Sequence, residues 1–155
     1  LNNLVREAAR FAAGEARELG VQVDLLLTSI ELPVGVDKIQ VEQVILNLVR
    51  NGFDAMQRTP AGQRRLTVTT DADSDGHAQV TIADTGIGIA PDLAAKLFDP
   101  FFTTKRDGLG LGLSISRSII EAHGGRLWIT PDASPGAAFH FTVPTVREVS
   151  GANAA

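Results

Sequence analysis

The sequence predicts an α+β fold, a two-layer α/β sandwich in which one sheet of about five strands is faced by about three helices. Long apolar runs at helical spacing, short segments rich in β-branched and aromatic residues, and the segregation of the two kinds along the chain predict it.

Each element follows from its local pattern. Residues Asn3 to Leu19 carry Leu4, Ala8, Phe11, Ala12, Ala16 and Leu19 on one helical stripe, and Gly20 stops the run. Val21 to Leu27 alternates and then turns wholly apolar, a strand that ends before Pro33-Val34-Gly35. Asp37 is placed to cap a long second helix reaching about Gln57, closed by Thr59-Pro60-Ala61-Gly62. Leu66 to Thr70 and Ala78 to Ala83 read as a hairpin around the turn-forming run Asp71-Ala72-Asp73-Ser74-Asp75-Gly76. A short helix from Pro91 to Phe98 interrupts a glycine-dense stretch, and another runs from about Leu113 to His123 before Gly124-Gly125. Arg126 to Thr130 and Ala138 to Val143 are the last strands, the second alternating Phe139, Phe141 and Val143 against Ala138, His140 and Thr142.

At 155 residues and 44% hydrophobic content, the chain can bury a core of its own. Residues 1–149 read as one domain, and Ser150 to Ala155, small and polar, as a frayed tail. The formal net charge of −4 and the absence of a dense Lys/Arg run argue against nucleic acid or an anionic membrane as the main partner. With no Cys there is neither a disulfide framework nor a thiolate zinc site. His77, His123 and His140 are scattered without ligand spacing. No apolar stretch approaches the roughly 20 residues of a membrane-spanning helix. Leu1-Asn2-Asn3 begins neither a signal peptide nor a natural start, so the chain reads as an excised domain.

The second helix carries a polar stripe. At about 100° per residue, Gln43, Asn47, Arg50, Asn51 and Asp54 share one sector of this helix, and nearly everything else on it is apolar. A solvent-facing stripe would be Glu, Lys and Arg paired at i,i+4; two Asn one turn apart are weak helix formers that gain nothing there unless their amides are used. The stripe therefore looks into a cavity. Asparagine offers a neutral oxygen, which suits a Mg²⁺ whose charge phosphates already balance. Asn51 is the first candidate for that ligand, and Asn47 for contact with the metal's water shell or a phosphate. An amide there, unlike a carboxylate, cannot activate water against a γ-phosphate.

Two glycine loops supply the rest. In Asp84-Thr85-Gly86-Ile87-Gly88-Ile89 a carboxylate closes a buried strand among apolar neighbours, and the exocyclic amino group of adenine is a donor it can use, where guanine would present an oxygen. An ordinary Asx-turn gives the same string. Gly108-Leu109-Gly110-Leu111-Gly112-Leu113-Ser114 opens a helix whose N-terminal amides favour phosphate, although a flexible glycine lid is the alternative. It lacks the G-x-x-x-x-G-K-[ST] of a P-loop. Between the loops, Phe98, Phe101 and Phe102 are placed to anchor the lid on the core, and Lys105 and Arg106 to reach phosphates or form a solvated pair. Arg50 has the same two options.

Taken in order, these segments resemble the catalytic ATP-binding domain of two-component sensor histidine kinases, on the Bergerat fold shared with type II topoisomerases, Hsp90 chaperones and MutL proteins. The resemblance covers nearly the whole chain. Gln43 to Ala55 looks like the N box, Asp84 to Gly88 like the first glycine box, Phe98 to Phe102 like the F box, and Gly108 to Gly112 like the second glycine box. Gly136 to Pro144 is similar to the closing strand, and the wording Asn47 to Met56 is most like the branch of oxygen- and nitrogen-sensing kinases. The resemblance implies a mixed sheet and ATP and Mg²⁺ as ligands. Asn51 would ligand the metal with Asn47 beside it, Asp84 would recognise adenine, and the backbone from Gly110 through Leu111 and Gly112 to Leu113 would hold the phosphates. Arg50, Asp54, Gly86, Gly88, Ile89, Lys105, Gly108 and Thr142 complete the implied nucleotide site. Asn47 stands where hydrolytic relatives carry a general-base Glu, and Ala137 departs from a Thr common near that position.

No residue here is assigned a catalytic role. In the family the phosphoacceptor His is followed by Asp or Glu and, a few residues on, by Pro; His77-Ala78-Gln79, His123-Gly124-Gly125 and His140-Phe141-Thr142 do not match. The acceptor hairpin, also the dimerisation element and the route to a response regulator, is expected before Leu1, and the domain itself is expected to be cytoplasmic without membrane contact. The rival readings are a stand-alone serine kinase of the anti-sigma type and a degenerate domain without nucleotide.

Overall fold

In the computed structural model, which describes residues 1–105, 108–131 and 135–146, the chain runs α1 (Asn2–Glu18), β1 (Gln22–Leu27), α2 (Lys38–Ala55), β2 (Arg65–Ala72), β3 (Ala78–Asp84), α3 (Pro91–Ala94), α4 (Gly112–Ala122), β4 (Arg126–Thr130) and β5 (Ala138–Val143). The strands form one mixed sheet in the order β1-β2-β3-β5-β4, with β1 parallel to β2 and every other pair antiparallel. The predicted two-layer sandwich is what forms: α1, α2 and α4 pack on one face of the sheet. The tail after Val146 and Arg106 lie outside the described residues.

The core lies between that face and α2, whose Val41, Val44, Ile45, Leu48, Val49 and Phe53 meet Leu66 and Val68 of β2, Val80 and Ile82 of β3, and Phe139, Phe141 and Val143 of β5. Asp37 caps α2 as its position implies, its carboxylate accepting the amide of Gln40 at 3.1 Å. On α1 the buried line is Leu4, Val5, Ala8, Ala12 and Ala16, while Phe11, expected on that stripe, is 64% exposed. Alanines let α1 lie close on its neighbour, and a phenyl one position from Ala12 is turned about 100° away from so narrow a seam.

Two other elements differ from their sequence patterns. The helix expected from Pro91 to Phe98 is α-helical only to Ala94; the amides of Lys96 and Asp99 bond to Leu93 and Lys96 as tight turns before Pro100. With no residue of α3 buried, no packing holds the α-helical form against this tightening, and Pro100 disfavours it only at Asp99. Strand β5 faces the core with Phe139, Phe141 and Val143 as expected, but Ala138 and Thr142 are buried too, because β5 lies between β3 and β4.

A closed set of hydrogen bonds ties the start of α1 to the sheet. The buried Thr70 hydroxyl accepts the Thr28 amide at 3.0 Å and donates to Asn2 Oδ1 at 2.7 Å, and Asn2 Nδ2 donates to the Thr28 carbonyl at 2.9 Å. Thr70→Val, isosteric but mute, is expected to cost about 1–2 kcal/mol, because the half-buried amide of Thr28 and the half-buried Oδ1 of Asn2 lose their partner. A urea midpoint unchanged from the parent would show that these bonds carry no stability.

Candidate functional site

The stripe read on the second helix divides in space. Asn47, Asn51 and Asp54 are half-buried on α2, whereas Gln43 and Arg50 are exposed. Arg50 pairs with Glu15 of α1 at 3.2 Å, which takes its guanidinium away from the amides. Asn47 Nδ2 donates to the hydroxyl of Ser116, a buried residue of α4, at 3.0 Å. With the amide so oriented, its oxygen points at the start of α4: a Cβ on Gly112 would lie 2.8 Å from Asn47 Oδ1. Leu111, which precedes that helix, gives no side-chain cap, so the first-turn amides are open to an anion.

Asp84 comes to the same place from the sheet. Its Cβ lies 3.6 Å from the position a Cβ would take on Gly52, the residue next to Asn51, so the carboxylate sits against α2 at the level of the second Asn. It is 5% exposed, and Gly86 donates its amide to Oδ1 at 2.8 Å. Burial pushes the Asp84 carboxyl above its ordinary range, while the backbone amides of Gly86 and Ala137 pull the other way without cancelling it. The loop after Asp84 is fastened to the end of α2, with the Ile87 amide donating to the Ala55 carbonyl at 3.2 Å. Gly136 closes the other side: its φ is 86°, and a Cβ there would lie 1.9 Å from the carbonyl oxygen of Asp84.

The segment between the glycine loops folds back over α2. Phe101 donates its amide to the Gly110 carbonyl at 2.9 Å, and a Cβ on Gly110, at φ 70°, would lie 2.5 Å from the Phe101 carbonyl carbon. Further along, Lys105 Nζ donates to Asn51 Oδ1 at 3.1 Å and also to Asp54 Oδ2. Of the three phenylalanines expected to anchor this segment, Phe98 packs on the core, with the Arg117 guanidinium 5.3 Å from its ring. Phe101 does not: it is 73% exposed, because the left-handed backbone at φ 66° that makes the turn to Gly110 also turns the ring outward.

Asn47, Asn51, Asp54, Asp84, Gly86, Lys105 and Gly112 are thus brought to the second half of α2, and Gly110 lies against Phe101. Leu111 and Leu113 are half-buried at the mouth of α4, Gly108 lies against Lys105, and Gly88 and Ile89 line a cavity of about 420 Å³ with Pro131 and Gly136. That cavity flanks the Asp84 loop and is not lined by Asn47 or Asn51, so the converging side chains mark the site better than the hollow does. Thr142 is not brought in. It pairs with Gln79, five residues along β3 from Asp84 or about 17 Å at strand rise, and on the sheet face away from the helices. Sequence reasoning missed Ser116, whose signal was its place one helical turn after Gly112, and the close approach of Gly52 and Gly136 to Asp84.

The sequence model of the family described as "Histidine kinase-, DNA gyrase B-, and HSP90-like ATPase" matches residues 36–147, which hold every converging side chain. The chain belongs to that ATPase family. Among its relatives, the sensor protein FixL of Bradyrhizobium diazoefficiens is 45% identical over 148 residues, 96% of this chain and 29% of FixL. The catalytic domain of histidine kinase ThkA superposes with a TM-score of 0.81 at 33% identity, covering 94% of this chain and 92% of that one. ThkA in complex with response regulator protein TrrA matches at 0.78 and 31%, over 94% of this chain and 40% of that one. Full-length ShkA in complex with AMPPNP matches at 0.81 and 29%, over 93% and 30%. This ATPase-family chain is therefore of the histidine kinase catalytic-domain type, and it spans less than a third of the length of FixL. Among the described residues, no helix is long and apolar enough to cross a membrane.

Proposed function

We propose that this chain is the ATP-binding catalytic part of a sensor histidine kinase, presenting the γ-phosphate of Mg-ATP to a His on a separate helical hairpin. The observation that carries the reading is the convergence of two carboxamides one turn apart, a buried carboxylate and an uncapped helix start on one end of α2. Asp84 accepts the adenine amino group, and the glycine backbone from Gly108 to Gly112 and the first turn of α4 take the phosphates. Lys105 supplies a positive charge to the γ-phosphate, and Gly86, Gly88 and Ile89 shape the purine end. Arg50, held by Glu15, stands outside these contacts.

A hard cation fits the oxygens present, since an ammonium already sits between Asn51 Oδ1 and Asp54. Asn51 would hold Mg²⁺, with Asn47 at its water shell; the ion would neutralise phosphate charge. Neither carboxamide can take a proton from water, which favours transfer over hydrolysis. Positioning and charge stabilisation do the rest once the acceptor imidazole lies in line. That hairpin and, through it, a response regulator are the partners, and the domain works in the cytoplasm, where ATP is supplied.

The test is to give the purified chain labelled ATP and the acceptor hairpin of its parent protein. Label is expected on His, and label on Ser would replace this reading with that of a serine kinase. A second expectation concerns the metal. Asn51→Ala should lower ATP affinity about tenfold in the presence of Mg²⁺ and leave affinity in chelator unchanged. Calorimetry in both buffers checks it, and an equal loss in both would remove Asn51 as a ligand.

A further inference from the structure

We infer that Lys105 is a tethered cation that occupies the metal position until nucleotide arrives: its ammonium holds Asn51 and Asp54 in the nucleotide-free chain, and Mg-ATP binds by displacing it. The inference rests on the functional reading above and adds to it a regulation of the same site. Lys105 Nζ reaches Asn51 Oδ1 at 3.1 Å and Asp54 Oδ2, oxygens three residues apart on one side of α2, so one ammonium spans both. The contact is tertiary, made across 54 and 51 residues of chain.

The loop is shaped to deliver it. The Lys105 amide donates to Thr103 Oγ1 at 3.0 Å, and the Phe101 amide ties the base of the segment to Gly110 at 2.9 Å. The segment that runs on into the glycines of the phosphate loop is therefore pinned to α2 by a side-chain charge.

A magnesium ion held by Asn51 would repel the ammonium bonded to the same oxygen, while the γ-phosphate beside it would offer that ammonium a better anion than Asp54. The exchange releases the segment from α2 and hands it to the nucleotide, so the pose of the loop reports whether Mg-ATP is bound. The side chains of Lys105 and Asp54 are 49% and 40% exposed, which keeps the contact weak and the exchange readily reversible.

The experiment uses the whole chain with Asp54→Asn, Lys105→Gln and the double variant. In the absence of nucleotide, hydrogen exchange of the amides of residues 101–105 should quicken about two- to fivefold in each single variant, with β2 and β3 unchanged. By calorimetry, Asp54→Asn should tighten Mg-ATP binding about two- to fivefold, because the competitor is loosened, and should do nothing in the Lys105→Gln background. Unchanged exchange overturns the inference whatever the nucleotide does. So does Asp54→Asn weakening Mg-ATP in both backgrounds, since Asp54 would then serve the metal itself. A parent chain that takes up no Mg-ATP would overturn the functional reading and the exchange of cations with it, while hydrogen exchange still decides the Lys105 contact on its own.

Discussion

Asp84→Asn is expected to lower ATP affinity about 10- to 150-fold while leaving the chain folded and, at neutral pH, somewhat more stable. The affinity follows from what a carboxamide offers. Its single oxygen is already required by the Gly86 amide at 2.8 Å, so in the proposed adenine contact the amide NH₂ would be turned to the purine, donor against donor, and a charge-assisted bond of about 1.5–3 kcal/mol would be lost. The stability follows from the raised pKa. Between the ordinary carboxylate value and the higher one in the folded chain, the folded state holds a proton that the unfolded state has released, so stability falls as pH rises through that window and stays lower above it. The variant has no such charge to bury. Its urea midpoint should therefore exceed that of the parent at pH 7 and lose the parent's slope on the acid side. Undiminished ATP affinity would mean that Asp84 serves only the turn.

Gly136→Ala is expected to cost more than about 3 kcal/mol and to lower the melting temperature by about 6–12 °C. Part of this is the left-handed backbone at φ 86°, about 1–2 kcal/mol for a residue with a Cβ. The remainder is contact, because the added Cβ would lie 1.9 Å from the Asp84 carbonyl oxygen, and neither side can yield: the Asp84 amide is itself bonded to the Ala137 carbonyl at 3.0 Å. Gly62→Ala is the control, with φ 88° and nothing within 4 Å of the added atom, and should show only the backbone cost. Since relief at Gly136 must move Asp84, ATP affinity should drop in the first variant and not in the second. Equal melting temperatures for the two would show that the approach to Asp84 carries no weight.

The candidate site was more legible than its surroundings. Asn47 and Asn51 could be assigned to one side of a helix because helical geometry is local and periodic, and the Asp84 carboxylate could be placed at a strand end because the glycines after it interrupt the β-rich run. The same periodicity put Arg50 in that sector, and it is drawn off by Glu15 of a helix 35 residues earlier. It put Phe11 on the buried stripe of α1, from which a seam of alanines excludes it. Thr142 was set in the site by its neighbours in the closing strand, yet the β3–β5 register carries it to the far end of the sheet.

By itself, the sequence determined where the long helices and the strands run, which polar groups share a sector of α2, and that a glycine-rich stretch opens α4. Each of these depends on residues within a turn or two of one another. Only the tertiary structure decided that Asp84 lies against Gly52, that Ser116 orients Asn47, and that Lys105 rests on Asn51 and Asp54. Such contacts join residues dozens of positions apart, and their distances are set by how closely packed layers approach, which no local pattern contains.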